Sequence, residues 1–390
     1  KLKRRGRNYT ACCPFHEEKT PSFSVTPEKQ FYYCFGCGAK GDVISFLINK
    51  CGFQFTDAIN ELAKQVGMEV PKNKNSSQRS EKNEIKIKKL KAILLKTARF
   101  YKQNLKHNKS AVDYLKKREI LGETAAKFHL GVANGNWQGL SVVFSDYNSP
   151  LLSAAGIVLD SDPPGKKYDR FRSRLIFPII NITGEVIGFG GRAFNNENPK
   201  YLNSPETELF SKSKEFYGLF EARNYIIKSE QAIIVEGYFD VICLSQFSIK
   251  NVVATLGTSF SSYHFQRLIK WTNEIIFMFD GDLAGKKAAS RSLQIIIPLM
   301  TSQEIVVKFV FLPSGYDPDT FVRKFGSENL KELIFKSVHF STFLLSFVSE
   351  NVNLDFAEGR ATAISKLRKI LKDMPSGILK NQIILEATKK

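Results

Sequence analysis

The spacing of apolar positions changes along the chain, and the changes divide it. Between Ala232 and Leu312 the signal is a series of short Val, Ile and Phe runs, at Ala232–Val235, Asn251–Thr255, Ile275–Phe279 and Glu304–Leu312, separated by helix-compatible spans. Such runs predict buried strands, and their alternation with helices predicts a parallel, Rossmann-like sheet. Upstream, 84–105 repeats every three or four residues through Leu90, Leu94, Ala98 and Tyr101, which predicts an amphipathic helix with a solvated lysine face. A second helix is expected at 111–118, and two strands at 168–180 and 184–192 meeting at Asn181–Gly184. After Val322 the spacing is helical again over 329–337, 340–352 and 358–372, which predicts a small bundle packed behind the sheet.

The first 70 residues differ from all of this. Phe23, Val25, Phe31 and Tyr33 alternate with polar neighbours around Thr26–Lys29, a hairpin pattern, and 43–50 and 56–66 read as two short helices. Pro71–Asn83 is Lys/Asn/Ser-rich and reads as a flexible linker. The expected organisation is therefore α+β and multidomain: a small module at 1–70, a linker at 71–83, a mixed region at 84–228, the parallel sheet at 229–320 and a helical part at 321–390.

Acidic turns follow three of the predicted sheet strands: Glu236-Gly237 with Asp240, Asp280-Gly281-Asp282, and Asp317-Pro318-Asp319. Sites in open α/β sheets form beyond the carboxyl ends of the strands. Two carboxylates about 4 Å apart repel by roughly 4 kcal/mol at an effective dielectric near 20, so gathering them requires a cation. Oxygen ligands without His or Cys suit Mg²⁺ or Mn²⁺. The competing reading makes Asp280 and Asp282 turn and helix-cap residues, as Asp-Gly often is.

Cys13-Pro-Phe-His16 and Cys34-Phe-Gly-Cys37 stand 17 residues apart on either side of the hairpin. Cys13, His16, Cys34 and Cys37 match one closed, tetrahedral structural Zn²⁺ site, with Cys12 as a neighbour able to compete. Six cysteines in a long chain without a signal-peptide core favour metal ligation or free thiols over disulfides, and a cytosolic protein with no membrane partner. Two phosphate-loop readings fail. Gly188-x-Gly190-x-x-Ala193 has no helix after it, so its glycines are expected to let a nucleic-acid backbone approach, and 281–286 is one residue short of a P-loop. Lys and Arg number 57 against 38 Asp and Glu, a net charge of +19, which favours a polyanionic partner.

These words carry a resemblance. Val235-Glu-Gly-Tyr-Phe-Asp240, Ala254-Thr-Leu-Gly-Thr258 and Asp280-Gly-Asp-x-Ala-Gly285 are similar to the Toprim domain of bacterial DnaG-type primases. Cys13-Pro-Phe-His16, Thr20-Pro-Ser-Phe23, Tyr33-Cys-Phe-Gly-Cys-Gly38 and Gly41-Asp42 resemble the zinc ribbon with which that family binds template DNA. The likeness spans nearly the whole chain. It implies an RNA polymerase core that makes short RNA primers from ribonucleoside triphosphates on single-stranded DNA. Glu236, Asp280 and Asp282 would be catalytic and metal-binding, with Asp240, Asp317 and Asp319 completing the Mg²⁺ set, and Arg118, Arg192 and Lys200 would hold template, joined by Lys212 and Lys214. No general base is assigned; Glu236 is a candidate only if it is not fully committed to metal. Lys1 in place of Met implies a missing N-terminal piece, and the end at Lys390 implies that the helical domain through which such primases contact the replicative helicase is absent.

Overall fold

The computed structural model describes every residue except 1, 17, 51, 52, 54, 69, 71–77, 162–164, 195–197, 258, 301–304 and 390. Two compact units result, Lys1–Ser77 and Gln78–Lys390.

The first unit is an antiparallel sheet of β1 (Lys3–Arg5), β2 (Asn8–Ala11), β3 (Phe23–Thr26), β4 (Phe31–Cys34) and β5 (Lys40–Gly41), in that order, followed by α1 (Val43–Asn49) and α2 (Phe55–Gln65). Register sets Phe23 opposite Cys34 and Val25 opposite Tyr32. The inward aromatic of β4 is therefore Tyr32, stacked on Phe15 at 5.4 Å and edge-on to Phe46 at 5.6 Å. Phe31 and Phe35 lie on the outer face, Phe35 76% exposed, with Tyr33 half-buried between them. Among the described residues Cys13, Phe23, Tyr32 and Cys34 form the buried cluster of this sheet, so two of its four members are cysteines.

The second unit opens with α3 (Gln78–His107), a 30-residue helix free of Pro and Gly. Residues 78–83, expected in the linker, are helical because their Lys, Glu and Gln content suits a helix as well as a loop; the rest of that linker lies outside the described residues. Leu90, Leu94, Ala98 and Tyr101 are buried, as their spacing predicts. Next come α4 (Lys109–Lys117), α5 (Gly122–Lys127), β6 (Gly131–Ala133), α6 (Pro150–Ala154) and the hairpin β7 (Val158–Asp160) and β8 (Lys167–Asp169). With β9 (Arg174–Ile180), β10 (Val186–Ala193) and β11 (Tyr201–Asn203), β6 makes an antiparallel sheet ordered β11-β10-β9-β6.

The glycines of β10 correct one expectation. They make room for side chains of this protein, not for a nucleic-acid backbone. A Cβ on Gly190 would sit 2.5 Å from the Tyr238 ring, one on Gly191 2.7 Å from Phe171 and one on Gly188 3.2 Å from Phe210. Gly190→Ala is expected to destabilise the protein by about 1–3 kcal/mol through overpacking; urea denaturation with an unchanged midpoint would refute this.

After α7 (Leu219–Ser229) comes the second sheet, built from β12 (Gln231–Val235), α8 (Tyr238–Gln246), β13 (Val252–Ala254), α9 (Ser262–Leu268), β14 (Glu274–Phe279), α10 (Leu283–Ile296), β15 (Val306–Phe311), α11 (Pro318–Phe335) and β16 (Val338–His339). Its order is β13-β12-β14-β15-β16, parallel except for β16, which pairs antiparallel to β15. Helix α8 is buried from Tyr238 to Ser245, and Tyr238 stacks on Phe177 of β9 at 4.8 Å, so one core joins the two sheets. The end of the chain holds α12 (Phe340–Ser349), α13 (Ala357–Lys372) and α14 (Ile378–Lys389). Helix α12 packs behind the sheet through Phe343, 4.5 Å from Phe309 of β15. No described helix is long and apolar enough to cross a membrane.

Candidate metal centres and cationic face

Hairpin strands bring the first site together. Cys13 follows β2, Cys34 ends β4, and tight turns carry His16 and Cys37 back toward them. The four ligand atoms all lie within 4.8 Å of one another. Cys13 Sγ is 3.8 Å from Cys37 Sγ, and Cys34 Sγ is 3.7 Å from His16 Nδ1. A tetrahedral zinc with Zn–S of about 2.3 Å and Zn–N of about 2.0 Å has edges of roughly 3.8 and 3.6 Å, so the donors already fit the ion. Backbone N–H groups of Phe15 and Cys37 donate to the sulfurs of Cys13 and Cys34 at 3.3 and 3.4 Å, which favours thiolates. Cys12 is exposed and outside the group.

The second site stands at the carboxyl ends of β12, β14 and β15. Glu236 leaves β12 just before α8, and Asp240 in the first turn of α8 accepts from the N–H of Gly237 at 2.9 Å and of Asp319 at 3.3 Å. Asp280 leaves β14. Asp282 caps α10 by accepting from Gly285 N–H at 2.8 Å, and Asp317 caps α11 by accepting from Thr320 N–H at 2.7 Å. Capping therefore describes Asp282 and Asp317, but it engages one oxygen of each.

The acids feel one another. Burial, then Glu236, Asp317 and Asp282, push the Asp280 carboxyl up to about 7. Burial and then Asp282 raise Glu236, with Arg291 of α10 opposing, while burial followed by Asp317, Asp280 and Asp319 holds Asp240 far above the usual carboxylate range. Buried carboxylates that hold their protons against mutual repulsion fit a hard divalent cation. Among the described residues the Cys/His group is the one cluster of His, Cys, Asp or Glu gathered into a ready metal site. A cavity of about 310 Å³ opens beside Glu236, lined also by Thr255, Ser259, Phe260 and Arg291.

Asp319 is placed differently from the other five. Its side chain is 3% exposed, and Oδ2 accepts from Arg118 Nη1 at 2.9 Å and Arg323 Nη2 at 2.8 Å, while Oδ1 is buried without a partner. The Arg118 guanidinium lies 4.5 Å from the Phe239 ring. Arg192 joins it, 5.0 Å from Tyr114 and 5.4 Å from Phe239, but is only 8% exposed. Lys200 is exposed just before β11. Lys214 belongs to a different neighbourhood, over the Tyr263 ring of α9 at 5.0 Å, and the backbone N–H of Lys212 donates to Glu206. Arg118 and Arg192 are thus one cluster, and among the described residues no contact joins Lys214 to it.

Sequence reading missed Arg323 and the aromatic partners Tyr114 and Phe239. It also missed a group on the β7–β8 side, where half-buried Arg172 lies 4.3 Å from the ring of exposed Trp137 and 5.0 Å from half-buried Tyr168. Its one signal was the Arg170-Phe-Arg-Ser-Arg174 run, whose arginines fall at alternate positions.

Four family models match the chain in succession: a CHC2 zinc finger at 1–78, the N-terminal domain of the DNA primase catalytic core at 100–223, a Toprim domain at 230–311 and a DnaB-helicase binding domain of primase at 341–387. The last overturns the expected absence of the helicase-contacting domain, because α12, α13 and much of α14 fall within the match. The DNA primase of Legionella pneumophila is 42% identical over 98% of this chain and 65% of its own length, and that of Pseudomonas aeruginosa 46% identical over 85% and 51%. The chain thus spans about half to two thirds of the curated relatives it matches. Among solved structures, a DnaG primase catalytic domain bound to single-stranded DNA is 37% identical with a TM-score of 0.72, over 78% of this chain and 99% of that one. The zinc-binding and RNA polymerase domains of Aquifex aeolicus primase are 35% identical with a TM-score of 0.67, over 100% and 91%. A zinc ribbon, a primase core and a Toprim sheet in this order, with these identities, place the chain in the bacterial DnaG DNA primase family.

Proposed function

We propose that the chain is the template-directed RNA polymerase part of a DNA primase, joining ribonucleotides into short RNA primers on single-stranded DNA in the cytoplasm. The observation that carries this reading is the meeting of acidic turns from three adjacent strands, tied through Asp319 to the cationic, aromatic cluster of Arg118 and Arg192. Glu236, Asp280 and Asp282 would hold Mg²⁺ or Mn²⁺, with Asp240 and Asp317 beside them. When bound, the ions supply a lowered 3′-hydroxyl pKa and charge neutralisation on the departing pyrophosphate. Where it is not fully committed to metal, Glu236 would be the group to receive the hydroxyl proton, burial and Asp282 both raising its proton affinity. Asp319 and the Tyr114 hydroxyl hold the Arg118 fork at Nη1 and Nε, its other N–H groups would meet template phosphate, and Lys200, Lys212 and Lys214 would extend the positive surface. The helices at 341–387 are the proposed helicase contact.

Incubation with single-stranded DNA, Mg²⁺ and labelled ribonucleoside triphosphates tests the reading: RNA oligomers are expected, whereas nicking without RNA synthesis would make the protein a Toprim nuclease. Lys200→Ala is expected to weaken single-stranded DNA binding uniformly across sequences and to lower the slope of log affinity against log salt by about 0.7. A salt titration with unchanged slope would remove Lys200 from the template path.

A further inference from the structure

The zinc ribbon contains a carboxylate that the ligand spacing does not announce. Glu18 reads from sequence as one charge in the Glu17–Lys19 stretch, yet its side chain is only 10% exposed. Its Oε2 lies 3.3 Å from His16 Nε2, while the other ring nitrogen, Nδ1, is the one 3.7 Å from Cys34 Sγ. Its Oε1 accepts from the backbone N–H of Cys13 at 2.6 Å and of Ser22 at 2.9 Å. Ser22 Oγ contacts Oε2 in turn and stands 3.1 Å from Cys34 Sγ. Gly36 closes over the pair: a Cβ there would lie 2.6 Å from His16 Nε2 and 2.9 Å from Ser22 Oγ.

We propose that Glu18 is the positioning residue of this metal centre, fixing His16 as an Nδ1 ligand and tying the Cys13–His16 turn to the start of β3 and the end of β4. A neutral imidazole has one N–H and one lone pair, and an ionised carboxylate only accepts. Glu18 against Nε2 therefore places the proton there and leaves the Nδ1 lone pair directed at the metal. Four donors, the Cys13 and Ser22 N–H groups, the Ser22 hydroxyl and the imidazole N–H, compensate the carboxylate in a site where thiolates already concentrate negative charge. Glu18 touches no ligand sulfur; it acts through His16, Cys13 and Ser22. Partners of this kind typically alter metal affinity 10–100-fold.

The experiment uses the zinc-loaded full chain and does not depend on polymerase activity. Long-range ¹H–¹⁵N spectra of the parent protein are expected to show His16 with a metal-bound Nδ1 and a protonated Nε2. In competition with a chromogenic chelator at neutral pH, Glu18→Ala is expected to lose zinc affinity by about 10–100-fold. Glu18→Gln keeps one acceptor oxygen of the two, so its amide nitrogen must face either the Nε2–H or the Cys13 and Ser22 N–H groups, and it should recover only part of that loss. Either a parent spectrum with Nε2 bound to zinc or an alanine variant that holds zinc as tightly as the parent overturns the proposal. If the alanine variant fails to fold, the parent spectrum and the glutamine variant decide.

Discussion

Asp282→Asn should abolish nearly all primer synthesis, by on the order of 10³-fold or about 4 kcal/mol of transition-state stabilisation, while leaving the fold intact. The substitution separates the two readings of this residue. Asparagine caps a helix about as well as aspartate, so the bond from Gly285 N–H at the start of α10 survives while the charge does not. Asp280→Asn, at a position with no capping bond, should lose activity to a similar degree. Template affinity, read by fluorescence anisotropy, should stay within about twofold for both, because the cationic cluster is untouched. If Asp282→Asn retained primer synthesis, capping would be its whole role. The same cluster sets a pH dependence. Asp280 is raised to about 7, with Glu236 and Asp240 also raised, so in the metal-free fold these groups favour the protonated state. The Asp280 contribution to stability is fully present below about pH 4, the unfolded carboxylate range, and is lost as pH rises through about 7, with Glu236 and Asp240 acting in the same direction. Stabilisation by Mg²⁺ should therefore grow over pH 5 to 8, and a melting-temperature increment flat across that window would contradict it.

Removing zinc should unfold the first unit and spare the second. That sheet buries only four residues as a cluster, and two of them are ligands, so the ion stands in for a core the segment is too small to build. Structural zinc in comparable peptides supplies about 10–16 kcal/mol of apparent binding energy at neutral pH, which matches or exceeds the whole stability of most domains. Chelation, or Cys34→Ser, should abolish the dispersed amide resonances of 8–49 and leave those of 84–335 in place. A sheet that persists without metal would show that the Phe15, Phe23, Tyr32 and Phe46 rings suffice. Single-stranded DNA binding by the second unit should survive the treatment.

The parts of this architecture that were legible from sequence are those set by local spacing. Buried parallel strands read as Val/Ile/Phe runs because both faces are covered, and the zinc donors read as paired knuckles because a hairpin fixes their separation. Features that depend on distant partners stayed hidden. Asp319 lies in the same Asp-Pro-Asp turn as Asp317, yet the structure couples it to Arg118, 201 residues away. Gly188, Gly190 and Gly191 signalled close approach correctly, but only the fold shows that rings of this protein approach. The helical start of α3 at Gln78 was masked by composition that suits a loop equally well. Helix α14 was missed because its Ile and Leu residues do not mark one face, and Ile383 alone is buried.

Parallel pairing of β12 with β14 places Ile234 opposite Phe277, so Glu236 falls level with Phe279 and Asp280 one position beyond it. The reach between the two acids is consequently a property of backbone pitch, about 3.3 Å per residue, and not of any side-chain packing. Deleting one residue within Ile275–Phe279 would retract Asp280 by a full step and turn the inward side chains outward, whereas an added residue in the turn before Glu274 would be absorbed there. Strand length, which carries no functional group of its own, acts here as the ruler of the acidic site.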